Sequence, residues 1–441
     1  MAPGTDLPTA ENARAPRLLV LEAGVSAGEP LLRAAAALGA ETYVVTHPHM
    51  YAGYPPELRQ LIAGTICPDF TDPTATLRQL TAFCRRTGID GVVACWEFLT
   101  PLAAHLAAGL GLPGHDPARA AACRDKRLMS EAFTAHGIPA PRTVAAREPT
   151  TLARLAREAG LTYPLVVKPA ENAASIGVSV VSDPAALPDA VRRAGAETHK
   201  LPHGIALDTT VLAQEYVEGD EFSVETVVVG GEVHHLAVTE KFTTSGTDRA
   251  ETGHTVPATL PTAVRESLLD TTSRAVTALG LRDGLAHTEI KVTPHGRPHV
   301  IEVGARPPGD GIMRLVAEAT GVDQARACVE TALGIRPDLT GHHGRAAAVR
   351  FLLAPHAGTL GSIEVPPRRG HVRDVTVTAA PGDTLTAPHD NLQRLGHILL
   401  RGKTAEEVNE AAARAMARVR VVMTPRPLDA SEGASGDPCP D

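Results

Sequence analysis

Lysine is scarce in this chain of 441 residues: only Lys126, Lys168, Lys200, Lys241, Lys291 and Lys403 occur, against thirty-six arginines. The habit is compositional, and its consequence is that each lysine becomes informative. The six cysteines, Cys67, Cys84, Cys95, Cys123, Cys328 and Cys439, form no CxxC pair and no zinc-type spacing. No secretory pattern opens the chain, so reduced thiols and a cytoplasmic location are expected. No apolar run approaches the length of a membrane span. Basic residues number 42 against 50 acidic ones, a formal net charge of −8, which argues against nucleic acid as a partner. His234-His235 and His342-His343 lack the i, i+4 spacing of a helical metal pair. The turn after the first apolar run lacks GxGxxG spacing, which disfavours an NAD-dependent dehydrogenase, and no GxxxxGK[ST] loop occurs.

The length calls for two to four domains. Residues 1–16 and 426–441 are polar and aperiodic and read as disordered tails. From Arg17, apolar runs at Leu18–Glu22, Glu41–Thr46, Thr65–Cys67 and Gly91–Trp96 alternate with helical patterns near Glu29–Leu38, Thr74–Thr87 and Leu99–Leu110. That is βαβ order and predicts a parallel sheet. Glu97 falls at the C-terminal end of the last of these strands, where open α/β sheets bind ligands, and its carboxylate could hold a substrate ammonium group. A helix N-terminal acid serving the dipole reads equally well there.

Further along, in Tyr163-Pro164-Leu165-Val166-Val167-Lys168-Pro169, Lys168 ends a short apolar strand. A small-residue loop, 170–177, joins it to a second strand at Val178–Val181. Free backbone N–H groups with a lysine at the root suit a phosphate, although a plain hairpin loop looks much the same. The strand Val211–Val217 carries Gln214-Glu215-Tyr216-Val217, and Glu221 follows. Two strands, Phe222–Val229 and Glu232–Thr239, meet at Gly230-Gly231, a hairpin turn. A polar loop from Lys241 through Gly253-His254 to Pro257 leads to the helix Thr262–Leu279.

The central stretch is His287–Gly309. Runs at Ala286–Val292 and His299–Val303 flank Pro294-His295-Gly296, a hairpin signal. Alternation puts Glu289 and Lys291 on one face, and the return strand brings Glu302 near Glu289. Two such carboxylates repel unless a cation lies between them, and oxygen-only ligands suit Mg²⁺. A solvated surface hairpin is the bland alternative. Arg306 follows on a Pro/Gly loop aimed at the same cleft. Beyond Arg345 strands dominate (Ala346–Leu353, Gly361–Val365, His371–Ala379, His397–Arg401, Val419–Met423), with a helix, Ala405–Ala417, opened by a Thr404/Glu407 capping box.

Together these motifs resemble the ATP-grasp superfamily, and within it the carboxylate–amine ligases, a group that includes bacterial L-amino-acid (dipeptide) ligases. The resemblance covers roughly residues 17–425. It implies an α/β ATP-grasp fold: an N-terminal Rossmann-like domain at 17–118, an ATP-grasp domain at 119–340 with a phosphate-loop subdomain near 142–217, and a β-rich C-terminal module at 341–425. By position, Lys126 and Lys168 match the lysines that hold ATP phosphates, and Ser175 and Gly177 match the phosphate-covering loop. Glu215, Tyr216 and Val217 match the adenine hinge, and Glu221 the ribose-gripping acid. Glu289 and Glu302 match the metal ligands, while Arg306 and Gly309, with Lys168, match the residues around the reacting centre. Lys241 falls at a phosphate contact and His254 at a substrate-side contact. One departure is Gly304, where the family often has a metal-binding Asn; this removes a ligand for a second ion.

The resemblance implies ATP and Mg²⁺ (Mn²⁺ as an alternative) as cofactors, and a small-molecule carboxylate and amine as substrates. It implies neither nucleic acid nor membrane as partner, and a homodimer only as family habit. The reaction implied is amide formation through an acyl phosphate, releasing ADP and phosphate. A biotin-carboxylase-like enzyme, a nucleotide-biosynthesis ligase and a non-catalytic ATP-binding regulator are the alternatives; no Met-Lys-Met carrier motif supports the first.

Overall fold

The computed structural model describes residues 14–244, 249–388 and 390–424. The tails expected at 1–16 and 426–441 therefore lie outside the described residues except for 14–16. Those three are held: the Arg14 guanidinium grips both Asp90 oxygens at 2.7 and 2.8 Å.

The first sheet is parallel, with strands Arg17–Leu21, Glu41–Val45, Gly64–Ile66 and Gly91–Ala94 in the order 3-2-1-4. Its strands read as continuous apolar runs because helices cover both faces. The expected strand 91–96 stops at Ala94, and Glu97 opens a short 3-10 turn, Glu97–Leu99, that feeds the helix Thr100–Leu110.

A second, antiparallel sheet orders Thr143–Ala146, Val211–Glu215, Leu165–Pro169 and Ser179–Val181 side by side. Helices Pro149–Glu158 and Leu187–Ala194 bury Leu152, Ala156, Leu187 and Val191 against one face, and the other faces the cleft. The expected strand 211–217 ends at Glu215, which leaves Tyr216 and Val217 outside the ladder.

An eight-stranded antiparallel sheet forms the floor. Its order is Pro298–Gly304, Gly284–Val292, Asp220–Val229, Glu232–Thr243, Glu251–Val256, Ala346–Leu353, Arg394–Gly402 and Val372–Val377. The helix Thr262–Ala278 packs its buried Leu268, Ala275 and Val276 against the back of the hairpin, on Ile290, Val300 and Val303. The polar loop expected before Pro257 is instead the strand Glu251–Val256. Its charged side chains are tolerated because each finds a partner: Lys241 lies opposite His254 in the ladder, and Glu251 pairs with Lys241. Two further helices, Ile312–Thr320 and Gln324–Ala332, were not expected from the sequence; both are short, and the second is buried at all but one of its residues, so no polar stripe marks it.

Past residue 345, three strands join the floor, and three others make a small sheet of Thr384–Leu385, Gly358–Glu364 and Arg420–Thr424. The helix Ala405–Met416 starts at Thr404, whose hydroxyl accepts from the Glu407 amide at 3.1 Å. The Glu407 carboxylate accepts from the Lys403 amide, one residue away from the reciprocal arm of a capping box.

Gly219 joins the adenine-hinge candidate to the floor at a φ of +138°, and a Cβ there would collide with the carbonyl oxygen of Val292. Gly219→Ala should cost about 1–3 kcal/mol through the backbone conformation alone, with the collision in addition. Equilibrium denaturation checks this; wild-type stability in the variant would refute it.

Candidate active site

The three layers meet over one cleft of about 510 Å³. Lys168 projects into it, buried, from the end of its strand. Burial, with Lys126 adding, lowers the Lys168 ammonium to about 8. Lys126 opens the helix Lys126–Ala135, whose first turn is capped by the Asp125 carboxylate. Its Nζ donates to the Asn172 carbonyl at 2.6 Å and pairs with Glu302 at 3.0 Å and Glu97 at 3.6 Å. The loop between the strands is folded down: the Ser175 hydroxyl donates to the Arg249 carbonyl at 3.3 Å, and the Asn391 amide donates to the Ala174 carbonyl at 3.3 Å. Ala174 and Ser175 both have φ near +60°, a region non-glycine residues seldom occupy. Gly177, expected in the phosphate cover, is not part of the cleft wall; a Cβ on it would press on the Ala194 backbone.

At the hinge candidate, the Glu215 side chain points outward to Arg142, and its amide donates to the Arg142 carbonyl at 2.9 Å. Tyr216 carries Lys291 over its ring at 5.1 Å, and its hydroxyl accepts from Arg249 at 2.8 Å. The Val217 carbonyl accepts from Lys291 at 2.9 Å.

The floor brings its charges into rows. Register places His254 beside Lys241, Lys241 beside Glu221 and Glu221 beside Lys291; in the next row Ser223 lies beside Glu289, which lies beside Glu302. Alternation turns His287, Glu289 and Lys291 to the cleft, and all three line it. Lys241 is the buried hub, 2.6 Å from Glu251, 2.6 Å from Glu289 and 3.6 Å from Glu221. Burial works against its charge, but the three carboxylates hold its ammonium well above the usual range. Burial likewise disfavours ionised Glu289, yet Lys241 and His287 keep it well below the ordinary carboxylate value. His287 is raised to about 9 against burial by Glu225, which it meets at 2.9 Å. Glu302 goes the other way: burial and the neighbouring Glu97 and Glu289 raise it, with Lys126 in opposition. Paired hard oxygen donors, one of them short of positive charge, fit Mg²⁺ or Mn²⁺.

Arg306 lies over Gly304, where a Cβ would make ordinary contact with its side chain at 3.6 Å. Its guanidinium meets Glu97 at 3.0 Å. Glu97, expected to hold a substrate ammonium, is thus already engaged by Arg306 and Lys126. Burial opposes its ionisation, and those two cations lower it nonetheless. His254, expected at the substrate side, is fully buried behind the wall; its Nε2 lies 3.5 Å from Asp310 and 3.6 Å from Glu251, which do line the cleft.

Among the described residues, Glu251, His254 and Asp310 bring ligand atoms within 4.8 Å of one another. Cations of the chain already occupy the two carboxylates. Arg394 bridges Asp310 at 2.5 Å and Glu251 at 3.2 Å, and Lys241 takes the other Glu251 oxygen. This is an ion-pair network and not a metal centre.

The structure therefore brings together Glu97, Lys126, Lys168, Ser175, Glu215, Tyr216, Val217, Glu221, Lys241, Glu289, Glu302, Arg306 and Gly309 in one cleft, and leaves Gly177 and His254 outside its wall. Sequence reasoning missed Arg249, Glu251, His287, Asp310 and Asn391 as cleft residues. His287 and Lys291 had a signal, since both share the Glu289 face; Asn391 and Arg394 had none, being some ninety residues downstream of the hairpin. Among the described residues no helix is long and apolar enough to cross a membrane, and Cys67, Cys84, Cys95, Cys123 and Cys328 carry no disulfide.

Family models match three segments: an ATP-grasp N-terminal domain over residues 32–114, an ATP-grasp domain over 161–314, and L-amino acid ligase C-terminal domain 2 over 350–424. The chain is 30% identical over 230 residues to D-alanine–D-alanine ligase of Gloeobacter violaceus, a match covering 48% of this chain and 70% of that one. It is 27% identical over 271 residues to alanine–anticapsin ligase of Bacillus subtilis, covering 58% of this chain and 56% of that one. In fold it is similar to the crystal structure of L-amino acid ligase from Bacillus licheniformis, with a TM-score of 0.78 and 24% identity, over 94% of this chain and all of that one.

Lys241→Met should leave Glu251, Glu289 and Glu221 buried without their shared cation. Removing one partner of a buried pair typically costs about 3–5 kcal/mol. Denaturation midpoints test this, and a variant as stable as wild type would refute the hub.

Proposed function

Since the chain belongs to the ATP-grasp superfamily, among its carboxylate–amine ligases, we propose that it uses ATP to join an α-amino acid, through its carboxylate, to the amine of a second small molecule. The observation that carries this reading is the Arg306–Glu97 pair at 3.0 Å on the cleft wall. An α-amino acid offers both complements: its carboxylate can replace Glu97 on Arg306, and its ammonium can then take Glu97.

Lys168 and Lys126 would hold the ATP phosphates, and the 170–177 loop would exclude water from an acyl phosphate. The Tyr216–Val217 backbone would take adenine and Glu221 the ribose. Phosphoryl transfer asks for positioning and charge neutralisation more than covalent help, which suits a cleft built of lysines and arginine. Glu289 and Glu302 would hold Mg²⁺, which when bound supplies charge neutralisation between phosphate oxygens. The carboxylate oxygen of the donor attacks the γ-phosphorus and ADP leaves. The amine then attacks the acyl carbon, phosphate leaves with its bonding pair, and the nitrogen's surplus proton passes to the departing phosphate. Arg306, with a backbone N–H near Gly309, would face the tetrahedral oxyanion.

Phosphate release from ATP, Mg²⁺ and pooled amino acids tests the activity, with mass spectrometry of the products naming the pair. No stimulation by any carboxylate–amine pair would favour a non-catalytic ATP-binding regulator. Arg306→Ala should keep nucleotide affinity while ligation falls roughly 10²–10³-fold, the usual loss for one preorganised donor; wild-type turnover in that variant would remove Arg306 from the mechanism.

A pH dependence follows from Lys168. Phosphates prefer its charged form, which the free protein loses as pH rises through about 8. MgATP affinity should therefore be flat below that pH and fall above it, with proton uptake on binding. Calorimetry in buffers of different ionisation enthalpy reads the uptake, and affinity unchanged up to pH 9.5 would exclude the role.

A further inference from the structure

Glu22 directly follows the first strand of the parallel sheet in a left-handed conformation, φ 61°, and is fully buried. A strained, buried carboxylate persists only where its surroundings over-determine it. Here every lone-pair direction is used. Oε1 accepts from the Tyr54 hydroxyl at 2.6 Å and the Gly24 amide at 2.7 Å; Oε2 accepts from the Thr46 hydroxyl at 2.9 Å and bonds His203 Nε2 at 2.6 Å. Burial acts to raise this carboxyl, and the bonds from His203, Tyr54 and Gly24 bring it below the ordinary value.

Two parts of the molecule meet in this contact. On one side, Glu22 shapes the turn that follows. Tyr54, held by Glu22, accepts from the Ala23 amide at 3.1 Å, and Gly28 closes the turn on the Val25 carbonyl at 2.9 Å. Val25, Ser26 and Ala27 then line the cleft, with the Ser26 hydroxyl facing Gly309. On the other side, His203 belongs to the arm between Leu187–Ala194 and the strand Val211–Glu215. That arm grips the root of the phosphate loop: Lys200 donates to Asn172 Oδ1 at 3.2 Å, and Asn172 donates to Glu197 at 2.9 Å. Trp96, the chain's one tryptophan, lines the cleft and packs on the His203 ring at 4.7 Å.

We propose that Glu22, Tyr54 and His203 are positioning residues that tie the phosphate loop to the Val25–Ala27 wall, so that nucleotide in the cleft sets the wall against which the amino-acid donor sits. The proposal rests on the ligase reading for the identity of the donor. The tie itself is independent of it, because it concerns how the loop and the wall move together. Spatial continuity alone does not establish coupling, so the test measures coupling directly.

Full-length wild type, Tyr54→Phe, His203→Ala and His203→Gln are titrated with Mg²⁺ and a non-hydrolysable ATP analogue while Trp96 emission is followed. Tyr54→Phe is the clean arm, since it leaves the Trp96–His203 contact in place and removes one small group. The expected result is a wild-type emission response that falls by half or more in Tyr54→Phe and His203→Ala at analogue affinity within about twofold. His203→Gln, whose amide can still donate to Glu22, recovers it. With the substrate pair found by the pooled assay, donor KM should rise roughly tenfold in the first two variants, inside the usual range for coupling residues, while KM for ATP and kcat change less. A wild-type protein with no emission response, variants that keep the full response, or an unchanged donor KM would overturn the proposal. If His203→Ala does not fold, Tyr54→Phe decides alone. If no substrate pair turns over, the ligase reading fails and the emission titration still judges the tie.

Discussion

A single buried ammonium holds the floor of the cleft together. Lys241 sits where strands carrying Glu221, Glu251 and Glu289 converge, and each of these carboxylates would be untenable alone at that depth. Replacing such a cluster with apolar residues often costs nothing in stability, so stability does not explain it. What the cluster provides is a polar floor with defined charge positions. Around it stand Arg306 and Arg394 on the cationic side and Glu97, Glu302 and Asp310 on the anionic side, each in contact with an opposite charge.

That balance makes the site an exchanger of ion pairs. Arg306 and Glu97 satisfy each other across the cleft, and Lys126 shares Glu97 and Glu302. A ligand bearing one positive and one negative group can replace such an internal pair without stranding either partner, whereas a ligand with a single charge strands one of them. The zwitterionic α-amino acid proposed as donor meets this condition. In the proposed ligase, phosphates would add negative charge near Lys126 and Lys168 and so release Glu302 toward a cation. The energetics of the cleft are therefore differences between well-paired states, and such differences can be small enough for turnover.

Much of this was legible in the chain. The alternation of apolar runs before residue 111 was enough to predict a parallel sheet, because such strands are buried on both faces. The hairpin at Gly284–Gly304 was legible because period-two alternation flanks a Pro-His-Gly turn, and it placed Glu289 against Glu302. The strand Glu251–Val256 was not legible: its Glu-Thr-Gly-His-Thr-Val reads as a loop, since what makes it a strand is the pairing of its charges with Lys241 and Arg394. Glu97 and His254 show the same limit. Residue type and spacing indicate a charge near a cleft, but whether that charge faces a ligand, an arginine or the protein interior depends on contacts from elements far along the chain.

The same dependence decides how the cleft can be assembled. Its wall takes Val25–Ala27 from the parallel sheet, Ala173–Ile176 from the antiparallel one, and Asn391 and Leu392 from beyond the floor. Each contact between these parts is specific and small: an amide to a carbonyl for Asn391 on Ala174, a hydroxyl to a carbonyl for Ser175 on Arg249. Such contacts are individually worth about 1 kcal/mol and separate readily, which suits the phosphate-covering role proposed for this loop. Glu22 with His203 is of another kind, buried and with both Glu22 oxygens doubly bonded, and the strain at Glu22 is a cost that loose packing would relieve. A firm joint on one side of the loop and weak latches on the other constrain the motion to a hinge: the root at Asn172 stays with the arm while the tip at Ala174–Ser175 lifts. On the proposed tie, the tip is the part free to lift, and what a nucleotide does to the root passes through the arm to the Val25–Ala27 wall.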